Sequence, residues 1–415
     1  MRVGYTRAAL AVASAGGLAL GGLAGAAPAL ASPITVQVPC SVNALSDAIT
    51  NAVDGDVLQL ARNCTYTLVS ALPGVGVDLA IHGTRSTIER SYAGATPAFS
   101  LLVVATGGSL AVTNVNFTNG DSNYGGAIQA DRGPLSVTGG TFTGNYASAN
   151  GGAIYSNAGV TVSGATFTGN SAAIYSGALE IDDGGTVTGS TFTGNTADYG
   201  GVIEVYDDRS LTLNKSTLLK NSAEYGGAIE TDNGGSNLTV NNGYFQQNVG
   251  SEYAGGGIYN DGGLTLNNSA FSYNKGTYDG GGVYNDGTAT VNGATFKGNT
   301  AEDGGGWYNE DVLTMTGGSF SNNTAEDGAG LYNVYEATID TSTLQQNTAS
   351  DAGGGLYEDG TVAHLSNSKI VYNHAPTGEG GGIYNNDTVT LTGTTVRFNT
   401  VNNCSSAASV TGCTG

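Results

Sequence analysis

The chain has 415 residues, 68 of them glycine, with only 11% charged and a net charge of −21 at pH 7. An acidic surface of this kind repels nucleic acid and anionic lipid, which excludes both as partners. The glycine content alone would suit a disordered chain, but apolar residues recur in phase along it, and that excludes disorder.

Residues 1–31 read as a secretory signal peptide. Arg2 and Arg7 give the positive start, Ala8 to Gly25 the apolar stretch, and Ala29-Leu30-Ala31 a small-residue cleavage site. The Ala- and Gly-rich character and the cleavage motif favour a signal over a transmembrane anchor. The mature chain is expected to start near Ser32, to be secreted and extracellular, and to make no membrane insertion. Residues 32–54 then form an N-terminal cap. Val42, Leu45, Ile49 and Val53 share one helical face, with Ser41 placed as N-cap.

Residues 55–403 carry the fold. Irregular apolar stretches such as Val57–Leu60, Val77–Leu79 and Leu101–Val104 come first, and from Phe117 a unit of about 25 residues repeats. One beat is an apolar residue followed three positions later by Asn, as in Phe142/Asn145, Phe167/Asn170, Phe192/Asn195 and Leu218/Asn221, through to Val396/Asn399. A second beat sets glycine before an apolar residue, as in Gly152-Ala153-Ile154, Gly227-Ala228-Ile229 and Gly382-Ile383. Between them lie short alternating stretches such as Val160-Thr161-Val162 and Leu264-Thr265-Leu266. Each unit therefore predicts about three short strands joined by Gly, Asn, Asp and Thr turns, and no segment within the repeats has helical periodicity. Coil stacked on coil, this is an all-β right-handed parallel β-helix of about 12–15 coils. Leucine-rich repeats would need several leucines per unit, and a propeller blade about 40 residues. The Asn and Phe ladders read as interior scaffold, and Trp307 as core.

All four cysteines flank the repeats: Cys40 and Cys64 before, Cys404 and Cys413 after. Four cysteines allow three pairings. Both ends of a solenoid need covering, so Cys40–Cys64 and Cys404–Cys413 are expected to staple the two caps, the second within residues 404–415. Such bridges imply an oxidising compartment, and no pair has zinc-site spacing.

The paired Gly-Gly-Ala-Ile and Phe-x-x-Asn motifs over residues 117–400 resemble the repeats of the polymorphic outer membrane proteins, adhesin-like β-helices of bacterial surfaces. The segment Cys40-Ser-Val-Asn-Ala-Leu-Ser-Asp-Ala-Ile49 is similar to a Cys-Ser-Leu-Arg-Glu-Ala cap of secreted bacterial β-helices, without its Arg-Glu pair. The sequence runs 16 residues past Asn399, with none of the C-terminal membrane β-barrel of the polymorphic family. The resemblance implies a bacterial surface-binding role, with a glycan or cell-surface component as partner.

Three surface features carry the functional expectations. Glu180, Glu204 and Glu230 follow the apolar residue of the second beat in consecutive coils, and Asp182, Asp183, Asp207, Asp208 and Asp232 lie close behind. Carboxylates one strand spacing apart, about 4.8 Å, repel one another. Splaying into water, raised pKa values or a bound cation would relieve this, and calcium suits such an oxygen-rich set. Pectin-active β-helices, the pectin lyase-like group, supply an enzymatic alternative: a calcium-dependent polysaccharide lyase or hydrolase with Asp207, Asp208 and Arg209 as catalytic candidates. The nearly uniform coils weigh against that reading, and His82, His364 and His374 are remote. Further along, the same position becomes Tyr259, Tyr284, Tyr308, Tyr332, Tyr357 and Tyr384, predicted as an outward stripe suited to glycan stacking or protein contact, or to self-stacking. Thr141/Thr143, Thr166/Thr168 and Thr191/Thr193 resemble an ice-binding array, a third reading. The sequence favours a non-enzymatic glycan- or surface-binding or structural protein.

Overall fold

The structure is a computed structural model that describes residues 32–92, 96–206, 208–232, 235–252, 255–376, 379–406 and 410–413. The signal peptide over residues 1–31 lies outside them. Pro33–Gly415 forms one unit, a right-handed parallel β-solenoid of about 14 turns.

Each regular coil holds up to four short strands where the pattern predicts three. In one coil these are Val160–Ser163, Thr166–Thr168, Ser171–Ala172 and Leu179–Ile181. The first two belong to one continuous 27-stranded sheet and are separated by a bend. A residue with positive φ makes that bend in successive coils, for instance Gly164 at 62° and Asn242 at 55°. Only glycine and, at some cost, asparagine adopt this conformation readily, which explains the Gly/Asn spacing of the sequence. Phe142 pairs with Phe167 and Phe167 with Phe192 in parallel register, and their rings stack at centroid distances of 4.6 and 4.8 Å. Trp307 is fully buried and meets Phe296 edge-on at 5.5 Å.

The interior Asn ladder closes the hydrogen-bond account of the turns. Asn221 donates through its backbone N–H and its Nδ2, both at 3.0 Å, to the Oδ1 of Asn248. Asn248 Nδ2 in turn donates to the Leu218 carbonyl and to Asn274 Oδ1, both at 3.0 Å. Every polar atom of the amide is thus satisfied inside the core, the condition under which buried polar groups stabilise.

A second interior ladder went unpredicted. Asn260, Asn285, Asn309, Asn333, Glu358 and Asn385 are all buried and in register one residue after the tyrosine stripe. Asn260 Nδ2 donates to Asn285 Oδ1 at 2.7 Å, and Asn333 Nδ2 donates to Glu358 Oε2 at 2.8 Å. The recurring Tyr-Asn pair was its signal in the sequence. Burial pushes the Glu358 carboxyl up to about 8, and its Oε2 takes the acceptor place that an asparagine Oδ1 holds elsewhere in the ladder.

The ends follow expectation with one correction. Helix α1 spans Val42–Thr50 and buries Leu45, Ala48 and Ile49, but Ser41 makes no side-chain cap hydrogen bond and Val53 falls beyond the helix. Strand Thr35–Val38 pairs with Asp56–Leu60 as the first rung. Both expected disulfides are present, Cys40–Cys64 and Cys404–Cys413.

Replacing Asn248 by Ala leaves the Asn221 backbone N–H and one Nδ2 hydrogen without an acceptor. Each orphaned buried group costs about 1–3 kcal/mol. The variant is therefore expected to lose about 3 kcal/mol or more in urea unfolding, whereas Asn292→Ala, in an exposed amide row, should lose under about 1 kcal/mol.

Candidate binding face

The strand that follows the second beat builds the face. Its middle residue points away from the core, because its neighbours on both sides point inward: Ile203 and Val205 around Glu204, Ile258 and Asn260 around Tyr259. Along this position stand Tyr155, Glu180, Glu204, Glu230, Tyr259, Tyr284, Tyr308, Tyr332, Tyr357 and Tyr384. The preceding turn carries a second row. Beside the glutamates it is Tyr175, Tyr199 and Tyr225; beside the later tyrosines it is Asp279, Asp303 and Asp327. Acid and phenol exchange places halfway along the face.

The three glutamates do not splay into water. Glu180, Glu204 and Glu230 are 3%, 4% and 7% exposed. Glu204 and Glu230 are directly in register. Burial, and then the neighbouring carboxylates, push Glu204 and Glu230 up to about 9 and hold Glu180 well above the usual range. Glu180 Oε2 and Glu230 Oε2 are buried without a hydrogen-bond partner. Burial and mutual repulsion thus favour the protonated form of all three.

Between Glu180 and Glu204 the sheet is interrupted. Most coils place glycine with positive φ at the turn before the strand, as at Gly200 and Gly226, where a Cβ would meet the carbonyl three residues on at 2.4 and 2.2 Å. Ser176 occupies that position with φ 56°. Its Oγ accepts the Glu204 N–H at 2.7 Å, and strands Leu179–Ile181 and Ile203–Val205 fall into separate sheets. The uneven glutamate spacing in the sequence marks this place.

The other acids disperse. Asp182 accepts the Tyr155 hydroxyl at 2.7 Å. Asp183 pairs with Arg209 at 3.2 Å, with both side chains about half exposed, and such a pair contributes little. Asp208 is exposed at φ 44°, and Asp207 lies outside the described residues. Because Val205 pairs with Thr231, Tyr206 stands level with Asp232, where equal spacing predicts Asp207. Strand Ile203–Val205 leads to Ser210–Asn214, and Ile229–Thr231 to Asn237–Asn241, through connections too short to wall a cleft. Among the described residues no group of three or more His, Cys, Asp or Glu is disposed to hold a metal ion. The Asp207–Asp208–Arg209 set includes a residue outside the described ones, so its geometry is not on view.

The tyrosines form one stack. From Tyr175 through Tyr199 and Tyr225 to Tyr384, neighbouring centroids lie 4.6–5.8 Å apart. From Tyr259 onward the rings are nearly parallel, and Tyr284 and Tyr332 are only 8% and 9% exposed. The stripe is outward as predicted, but neighbouring rings cover one another's faces. What meets solvent is a row of ring edges, hydroxyls and carboxylates. Tyr284 donates to Glu310 Oε2, Tyr332 to Asp359 Oδ2 at 3.3 Å, and Tyr357 accepts from Asn386 Nδ2 at 3.2 Å. Burial and the adjoining Asp327 carboxylate raise Asp303 to about 7. The Thr-Phe-Thr array stacks in register for three coils, then gives way to Thr217/Leu219 and Tyr244/Gln246.

Residues 139–157, which contain both beats, match the Chlamydia polymorphic membrane protein repeat. The chain thus carries the repeat that its motifs resemble. No curated protein matches it in sequence. Among solved structures, tailspike protein 3 of bacteriophage CBA120 aligns at 14% identity and a TM-score of 0.45, over 90% of this chain and 59% of that one. Among the described residues no helix is long and apolar enough to cross a membrane.

Two outcomes test the face. An acid whose folded pKa is raised keeps its proton while the unfolded chain ionises, so stability is full below about pH 4 and falls as pH rises toward about 9. Thermal melts should show this fall, and Glu204→Gln/Glu230→Gln should flatten it and melt higher at pH 8. Ser176→Gly should restore the ladder and relieve the left-handed backbone, raising stability by about 1 kcal/mol and slowing exchange of the Glu204 amide.

Proposed function

We propose that this is a secreted bacterial β-helix protein whose role is non-enzymatic binding of a glycan or cell-surface component along the tyrosine–acid face. The observation that carries the reading is the regularity of that face. Tyrosines recur in register once per coil from Tyr259 to Tyr384, Asp279, Asp303 and Asp327 line the turn beside three of them, and the glutamates further back are buried. A polysaccharide is itself a repeat, so successive sugars would meet the same donors and acceptors in turn. Phenol and carboxyl edges suit hydroxyl-rich ligands, and net negative charge does not repel a neutral chain. The two disulfides suit an oxidising extracellular compartment.

Catalysis would need an accessible acid or base beside a substrate cleft. Glu204 and Glu230 have the raised pKa of a general acid but little contact with solvent. A glycan array should find ligands for residues 32–415. Tyr308→Ala/Tyr332→Ala should weaken binding at least tenfold while leaving the β-sheet signal intact. Equal binding by this variant, or release of oligosaccharides from a uronate polymer, would overturn the reading.

A further inference from the structure

The uniform coil surface is broken at one place away from the tyrosine face. Strand Asp78–Arg90 pairs with Ser109–Thr118, but His82 pairs with Thr113 and Ser86 with Val115, so three residues oppose one. The bulged residues Gly83, Thr84 and Arg85 rise as one wall of a groove of about 440 Å3, lined also by Asn114, Asn116, Gly140 and Thr141. Bulges of this type re-aim side chains.

The bulge is rigidly held. Buried Ser86 accepts the Thr84 N–H at 3.1 Å and donates to the Ala61 carbonyl at 2.9 Å. The Thr84 carbonyl accepts the Asn63 N–H at 3.1 Å. Gly140, at φ 80°, packs tightly on the neighbouring coil at the groove's edge; a Cβ there would lie 2.1 Å from the Val115 carbonyl oxygen. Asn116 is occupied by the Thr141 hydroxyl at 3.0 Å.

Arg85 stands at the tip with φ 54°, at a bend that other coils give mostly to Gly or Asn. A long side chain in the left-handed region costs about 1 kcal/mol or more. Arg85 is exposed and makes no ion pair among the described residues, although the chain carries 34 acidic residues. Exposed Asn114 faces the same groove and makes no side-chain hydrogen bond.

We propose that this groove is a second binding site, for a single carboxylate-bearing sugar within an otherwise neutral glycan. The guanidinium fork matches a planar carboxylate through two parallel hydrogen bonds. The Asn114 amide and the Thr84 hydroxyl supply donors and acceptors for ring hydroxyls within the groove. A polyanion is disfavoured, since the net charge of −21 repels it and one arginine cannot offset that. The site rests on the proposed function only in that its ligand is a saccharide.

The test uses residues 32–415 and a neutral oligosaccharide ending in one glucuronic acid, compared with its methyl ester, by isothermal titration and ligand-observed NMR. The acid form should bind roughly 10- to 100-fold tighter than the ester, the effect of a charge-assisted bidentate contact. Arg85→Gly should lose that difference while melting no lower than the wild type, because glycine relieves the bend. Tyr308→Ala/Tyr332→Ala should keep the acid–ester difference even if it loses binding to other glycans. Equal binding of acid and ester, unchanged preference in Arg85→Gly, or no binding of the acid form would overturn the proposal and leave the tyrosine face standing on its own test.

Discussion

Everything on the outside of this protein depends on how strictly the inside is held in register. An asparagine that slipped by one residue would turn its amide outward and orphan two donors in the core. The ladder from Asn145 to Asn399 therefore locks each coil to the next, with Nδ2 to Oδ1 distances near 3.0 Å throughout. Locked register is what lines up outward residues a coil apart, whether or not their chemistry favours it. Glutamates are brought over glutamates, and tyrosines over tyrosines.

The two chemistries respond differently to that constraint. Flat rings gain from stacking, and the tyrosines run as a continuous column. Ionised carboxylates would repel, and burial beneath the Tyr175–Tyr225 row makes ionisation costlier still. Protonation relieves both penalties with no added ligand. It also bears on calcium, because a neutral acid must first release its proton to bind a cation. Ser176 adds a local concession: its hydroxyl takes the place of a backbone acceptor where the acids are densest.

Much of the fold was legible in the sequence because the interior repeats. Phe-x-x-Asn and Gly before an apolar residue are direct imprints of core and turn, and the cysteines at the two ends gave both disulfides. The fourth strand was hidden because Ser171–Ala172 is two residues long, too short for any alternation to register. The second ladder was equally visible in the Tyr-Asn pairs, but asparagine following an outward tyrosine reads as turn chemistry. At the face, alternation placed Tyr259 to Tyr384 outward correctly. It could not reveal that their faces are mutually covered, or that Glu204 would be closed off by tyrosines from a neighbouring turn. The bulge at Gly83–Arg85 was illegible, since it lies in the irregular coils where the repeat has not begun.

The central claim is that the glutamates of this face are protonated acids beneath tyrosine and not a charged cation site. Carboxyl NMR of residues 32–415 labelled at glutamate, titrated from pH 4 to pH 10, tests it most directly. The account predicts that Glu204 and Glu230, assigned through their glutamine variants, keep the chemical shift of a protonated carboxyl through pH 7 and titrate near 9, with no change on adding calcium at neutral pH. Titration of both near the ordinary glutamate value, with shifts that move when calcium is added, would contradict it.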